Sequence, residues 1–141
     1  MKFPEKEPII EYTHELRSRY GETDRMGYVY YGRYLEYFEV ARTEMIRSYG
    51  LSYREMEESG VMLPVIHTEI EYKVPILYDE KMQIKVMVFD VPSVRLQTFY
   101  EVTTEDSDSI HILGEVSLCF MDAESRRPCR APESFINKIT H

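Results

Sequence analysis

The stretch from Arg19 to Arg42 reads RYGETDRMGYVYYGRYLEYFEVAR, and its two halves carry different chemistry. The first, Gly21 to Gly32, holds three glycines among polar residues and reads as a loop. Helical spacing begins in the second. Leu35, Phe38, Ala41, Met45 and Tyr49 recur at intervals of three and four, which puts them on one helix face. Tyr34, Tyr37 and Val40 widen that face beyond the stripe of a surface helix, so other structure is expected to wrap it. Gly50 stands where a left-handed C-terminal cap would fall. A short second helix is expected over about Ser52 to Ser59, since Ser52 and Glu55 have capping-box spacing and Gly60 ends the run.

Outward from this stretch the pattern is strand. Ile9 to Tyr20 has extended character. From Val65 to Tyr72, Ile66, Thr68, Ile70 and Tyr72 alternate with His67, Glu69 and Glu71. Met82, Ile84, Val86 and Val88 form a second alternating set, and Val94, Leu96, Thr98, Tyr100 and Val102 a third. In a fourth, Ile110, Ile112, Val116, Leu118 and Phe120 share a face with Gly114 in register. The connections are too short for parallel crossovers, so neighbouring strands are antiparallel. The order is strand, loop, long helix, then four strands. That predicts an α+β architecture with a five-stranded antiparallel sheet around one long central helix. The opposite sheet face carries Met87, Phe89, Phe99, Leu113 and Met121, which predicts cover by a partner subunit. Residues 1–8 are expected to be a partly frayed extension, and residues 9–141 a single domain.

Composition removes several functions. The chain has 141 residues, with 25 acidic and 17 basic side chains and a net charge of −8. A general nucleic-acid surface is not expected on so acidic a chain. No apolar run is long enough to span a membrane. The N-terminus mixes charges and prolines where a secretory signal would be apolar, so a cytoplasmic chain is expected, with Cys119 and Cys129 as free thiols. No GxSxG, Walker A, GxGxxG or cysteine zinc spacing occurs. Mid-strand Cys119 suits packing better than catalysis. His67, Glu69 and Glu71 share a strand face, but same-face neighbours about 6.6 Å apart converge poorly on one ion. Solvated or interface positions are the simpler reading, and no metal is expected. Twelve of the 18 aromatic residues are tyrosine. They suit a half-wet crevice or a subunit interface, and equally a tyrosine-rich core.

One arrangement carries candidate chemistry. Asp24 lies in the glycine-containing loop, seven residues before Tyr31 at the start of the apolar helix. A helix start offers unpaired N–H groups that would polarise an acyl oxygen. Asp24 would then attack the carbonyl or activate a water. The other reading is a turn aspartate hydrogen-bonded to its own loop.

The stretch resembles the 4-hydroxybenzoyl-CoA thioesterase family of hotdog-fold proteins. The residues that carry the resemblance are Tyr20, Thr23, Asp24, Gly27, Val29 to Tyr31, Tyr34 and Phe38 to Arg42. Support comes from Tyr72, Pro75, Tyr78 and Asp79, and from the closing Met121, Asp122, Arg127, Pro128 and Ala131 to Glu133. The resemblance implies a hotdog fold, assembly into dimers or tetramers, and hydrolysis of an acyl-CoA thioester to free acid and CoA without a cofactor. It places the family's carboxylate on Asp24, as nucleophile or general base, and its carbonyl-polarising amide on the Tyr31 main chain. One branch of the family has a histidine where Tyr31 stands here. Arg126, Arg127 and Arg130 form the densest cationic cluster, where similar proteins hold the nucleotide. They are candidates for the CoA phosphates, or a solubilising loop. Glu39 and Arg42, three apart on the helix, suit a structural ion pair or an interface contact better than catalysis. The alternatives are a non-catalytic acyl-CoA binding module and a hotdog dehydratase, whose histidine-bearing loop is missing from this sequence.

Overall fold

A computed structural model describes residues 1–140; His141, for which no role is expected, lies outside the described residues. The elements are β1 (Ile10–Arg17), α1 (Arg33–Ser48), α2 (Tyr53–Glu58), β2 (Val61–Met62), β3 (Val65–Tyr72), β4 (Lys81–Val88), β5 (Arg95–Thr104), β6 (Ser107–Cys119), β7 (Met121–Asp122) and α3 (Glu133–Thr140). Five strands form one sheet in the order β1-β4-β5-β6-β3, each pair antiparallel. The short strands β2 and β7 make a separate ribbon. This is the α+β layering that the periodicities predict.

Register sets the core. Met82, Ile84, Val86 and Val88 of β4 point inward, as do Leu96, Tyr100 and Val102 of β5 and Ile112, Val116 and Leu118 of β6, and all are buried. Helix α1 lies on that face. Its Phe38 ring stacks on Tyr100 with centroids 4.3 Å apart. The ring also occupies the space above Gly114, where a Cβ would lie 2.4 Å from Phe38 Cε2. Gly114 therefore serves helix–sheet contact rather than strand formation. Gly50 has the positive φ of 76° expected of a left-handed cap, and its N–H donates to the Arg47 carbonyl. Ser52 caps α2 by accepting from the Glu55 N–H at 3.1 Å.

The structure corrects or refines five expectations. The first strand ends at Arg17 rather than Tyr20, because the chain turns at Ser18 and forms a short 3₁₀ turn over Tyr20–Glu22. Helix α1 packs against the sheet as expected, but its buried face is narrower than the apolar pattern suggests. Its buried residues are Tyr34, Tyr37, Phe38, Ala41, Arg42, Met45 and Ile46, while Leu35 and Val40 are 39% and 43% exposed. At the aromatic centre of the outer sheet face the chain supplies cover of its own. Phe3 packs on Phe99, which packs on Phe89, at centroid distances of 5.0 and 5.2 Å. The first eight residues form no regular element, yet the N-terminal ammonium pairs with Glu71 at 2.8 Å and Lys6 pairs with Asp90. The expected Glu39–Arg42 pair does not form; Arg42 turns inward and is only 5% exposed.

The acceptors for Arg42 are phenols. Nε donates to Tyr53 Oη at 2.9 Å and Nη1 to Tyr100 Oη at 3.0 Å. Thr98 Oγ1 donates to the Val116 carbonyl at 2.9 Å, so its one proton is used. The 2.6 Å contact between Thr98 and Tyr100 then runs from the tyrosine to the threonine. A directed chain of donors thus leads from α1 through β5 to β6.

Helix α3 adds to the expected elements. Phe135, Ile136 and Ile139 supply its apolar face after Pro132, but eight residues are too few for periodicity alone to decide. Phe135 packs on Phe120 at 5.3 Å, and Lys138 donates to the Gly50 carbonyl at 2.9 Å. Replacing Gly114 with alanine should force Phe38 off the sheet and cost about 1–3 kcal/mol. A urea denaturation midpoint below that of the parent, with an unchanged slope, is the expected result.

Candidate functional site

The loop before α1 is a small hairpin. The Tyr30 N–H donates to the Glu22 carbonyl at 2.8 Å, and the Asp24 N–H to the Tyr28 carbonyl at 2.7 Å. Gly27, at φ 80°, takes the turn between these arms and donates to the Asp24 carbonyl at 3.1 Å. The Val29 N–H donates to Ile76 at 2.7 Å and the Tyr78 N–H to Gly27 at 3.0 Å, which tie the hairpin to the β3–β4 connection.

Asp24 makes the contacts of a turn aspartate and also lines a cavity. Its Oδ1 accepts from the Met26 N–H at 2.8 Å and the Tyr28 N–H at 3.1 Å, as a turn aspartate does. Oδ2 takes no bond from any described residue, and Asp24 lines a cavity of about 320 Å³. The walls are largely aromatic and apolar: Tyr28, Tyr31, Tyr34, Tyr72, Pro75 and Ile112 among them, with Lys73 as the one cation.

Tyr31 lines the same cavity, but α1 begins two residues later, at Arg33. The free N–H groups expected there are nonetheless present. Among the described residues, neither the Tyr31 nor the Gly32 N–H meets a protein acceptor. Their directions are set from the other side of each planar peptide. The Tyr30 carbonyl accepts from the Arg33 N–H at 2.9 Å, and the Tyr31 carbonyl from Tyr72 Oη at 3.1 Å. Tyr72 also packs on Tyr34 at 5.7 Å, and burial raises the pKa of its phenol. Tyr34, more deeply buried, is raised further for the same reason. Both rings therefore stay neutral donors at neutral pH.

Beneath the hairpin lies a carboxylate that sequence patterning gives no reason to select. Glu22 is 8% exposed. Its Oε1 accepts from the Arg19 N–H at 2.8 Å and from Tyr37 Oη at 2.9 Å, and Arg19 Nη2 reaches Oε2 at 3.4 Å. Burial pushes its pKa up, but the Arg19 N–H, the Tyr37 hydroxyl and the Arg19 guanidinium outweigh burial and hold it below the ordinary value. Nothing in the pattern of Glu22 distinguishes it from a surface residue; only the fold places it over Tyr37.

Other candidates stand apart. Arg126, Arg127 and Arg130 are exposed on the β7–α3 connection, and none of them lines the cavity. Eight residues of extended chain separate Ile112 at the cavity from Phe120 near that connection, a span of about 27 Å. One protomer does not bring arginines and Asp24 together. Glu71 bonds the N-terminal ammonium and Lys73 rather than His67 or Glu69. Cys119 is buried and Cys129 half-buried, both as free thiols.

The depressed Glu22 pKa fixes a pH dependence. Its contribution to stability is complete above the unfolded carboxylate value of about 4.3 and disappears as pH falls through the lower folded value. Glu22→Gln should therefore lower Tm most at pH 6–7, about the neutral end of a scan, with the gap to the parent closing toward pH 3, roughly where the carboxylate is protonated. A Tm gap independent of pH would contradict this.

Comparison with known proteins accords with the fold. Residues 18–139 match the model of the thioesterase-like superfamily, a broader grouping than the family the motif resembles. YneP of Bacillus subtilis, a candidate acyl-CoA thioesterase by name, is 33% identical over 121 residues, covering 86% of this chain and 87% of that protein. The acyl-CoA thioester hydrolase YbgC of Escherichia coli is 25% identical over 121 residues, covering 86% and 90%. The solved DHNA-CoA thioesterase of Staphylococcus aureus is 35% identical with a TM-score of 0.81, covering 86% of this chain and 80% of that one. No helix among the described residues is long and apolar enough to cross a membrane. By sequence and by architecture, the chain belongs to the thioesterase-like superfamily as a hotdog-fold thioester hydrolase.

Proposed function

We propose that the protein hydrolyses an acyl-CoA thioester in the Asp24 cavity. The observation that carries this is one carboxylate oxygen without a protein donor in the same cavity wall as Tyr31, whose N–H is also free. The acyl carbonyl oxygen accepts from the Tyr31 N–H, which stabilises the negative charge that develops on it. Asp24 then adds to the carbonyl carbon, or takes a proton from a water that does so. The C–S bond breaks, the sulfur acquires a proton, and water supplies the oxygen and hydrogen that balance free acid and free thiol. No histidine is required at position 31, since the main chain supplies the donor. The motif from Tyr20 to Arg42 supports the narrower kinship with the 4-hydroxybenzoyl-CoA thioesterase family, and the aromatic walls suit a flat or short acyl group.

We read the working unit as an oligomer built on β3. Of the two sheet edges, β1 presents Glu11, Thr13, Glu15 and Arg17 to solvent, charges that discourage pairing. β3 exposes the apolar Val65, Ile66 and Tyr72 along with His67, Thr68 and Glu69. A two-fold pairing of β3 edges sets the Tyr72 end of one protomer beside the Val65 end of the other. Because Val65 pairs with Leu118, that end leads into the arginine loop. The pairing thus carries the partner's Arg126, Arg127 and Arg130 toward the cavity mouth, where they would meet CoA phosphates. Dimer and tetramer both satisfy this geometry. The free thiols suit a reducing compartment such as the cytoplasm.

Thiol release from a panel running from acetyl-CoA to naphthoyl-CoA tests the activity. Asp24→Asn should lower kcat by about 10²–10⁴ with little effect on folding. Parental rates in that variant would remove Asp24 from the mechanism. CoA affinity without turnover by the parent would instead favour a binding module. Sedimentation should give a multiple of the 16.8 kDa chain mass. A charge reversal such as Arg127→Glu should raise KM more than it lowers kcat.

A further inference from the structure

Glu22 has no part in the chemistry just described, yet it sits where both reacting arms of the site converge. Its carbonyl accepts from the Tyr30 N–H, the residue before Tyr31. Its side chain leads into the same short arm as Asp24, two residues on. Thr23 bridges to Val29 between them, so Asp24 and the Tyr30–Tyr31 peptide are opposite arms of one hairpin. Val29 packs that hairpin into the core beside α1, and the buried side-chain hydrogen bond from Tyr37 Oη to Glu22 Oε1, at 2.9 Å, ties it to the helix. Tyr37 is itself buried, and its ring meets Tyr34, a cavity wall, edge-on at 5.9 Å.

We propose that Glu22, gripped by Tyr37, is a positioning residue that seats the arm carrying Asp24 on α1, whose first turn pins the Tyr31 peptide through the Arg33 N–H, and so sets the carboxylate against the Tyr31 amide. The inference rests on the roles proposed above for those two groups. The reasoning is geometric. Asp24 is held only by its own loop, through the Met26 and Tyr28 N–H groups. Those bonds orient the carboxylate within the hairpin but do not place the hairpin against the helix. A charge-assisted hydrogen bond in a water-poor setting does. Glu22 does not line the cavity, whose far walls, Tyr72, Pro75 and Ile112, come from other elements. Loosening it should therefore leave substrate affinity nearly intact and slow the chemical step, which depends on sub-ångström placement.

The test compares Tyr37→Phe, Glu22→Gln, their double variant and Asp24→Asn. Benzoyl-CoA and hexanoyl-CoA serve as probes, assayed well below each Tm. Tyr37→Phe removes one oxygen and keeps the buried ring, so it should fold. Its kcat should fall by roughly tenfold with KM within about twofold. Glu22→Gln, which keeps one acceptor oxygen, should lose several-fold. The double variant should be little worse than Tyr37→Phe, since both changes act on the shared Tyr37–Glu22 bond. Full kcat in both single variants beside an inactive Asp24→Asn protein would overturn the inference alone. Additive losses, or a rise in KM at constant kcat, would also overturn it. An active Asp24→Asn protein would overturn the base assignment, and the inference with it.

Discussion

The ring of Phe38 lies against the sheet where β6 has no side chain, and the position of α1 follows from that contact. With any Cβ at position 114 the helix axis would have to lift or slide. Held there, α1 packs chiefly toward β4 and β1, and the inner face of β3 stays open. Leu35 and Val40 are exposed for the same reason, since the buried stripe of α1 turns toward Tyr34, Tyr37 and Phe38.

The site uses main-chain groups more than side chains. Two peptide planes at the start of α1 are pinned by their carbonyls, and each leaves its N–H free as a consequence of planarity. The carboxylate is pinned through one oxygen, which leaves the other open. In the reaction proposed above, such groups would need no reorganisation as charge develops on a bound carbonyl.

Tyrosine serves three purposes in this chain. In the crevice, Tyr28, Tyr31, Tyr34 and Tyr72 supply apolar walls with polar tips. Within the core, Tyr53 and Tyr100 accept from Arg42, so a buried guanidinium is hydrogen-bonded without an ion pair. Burial raises both phenols, and the neighbouring guanidinium opposes the shift. Beneath the loop, Tyr37 donates to a buried carboxylate. In each place a rigid ring delivers one hydroxyl with little loss of side-chain freedom.

Periodicity and turn chemistry were enough to determine the five strands of the main sheet, the long helix, the caps at Gly50 and Ser52, and the α+β class. These depend on local patterns of side chains that any short window of the chain displays. The motif around Asp24 likewise marked the loop and the carboxylate. Four matters belonged to the tertiary structure alone. Helix α3 was hidden because three apolar residues in eight do not define a period. The partner of Arg42 was hidden because Glu39 is its neighbour on the helix, whereas Tyr53 and Tyr100 reach it only after the sheet is packed. Cover of Phe89 and Phe99 by Phe3 joins residues more than eighty positions apart. The burial of Glu22 depends on where α1 rests, and so on Gly114, more than ninety residues along the chain. Local patterns specify which elements form; contacts between distant residues decide which polar groups are sheltered, and those sheltered groups shape the site.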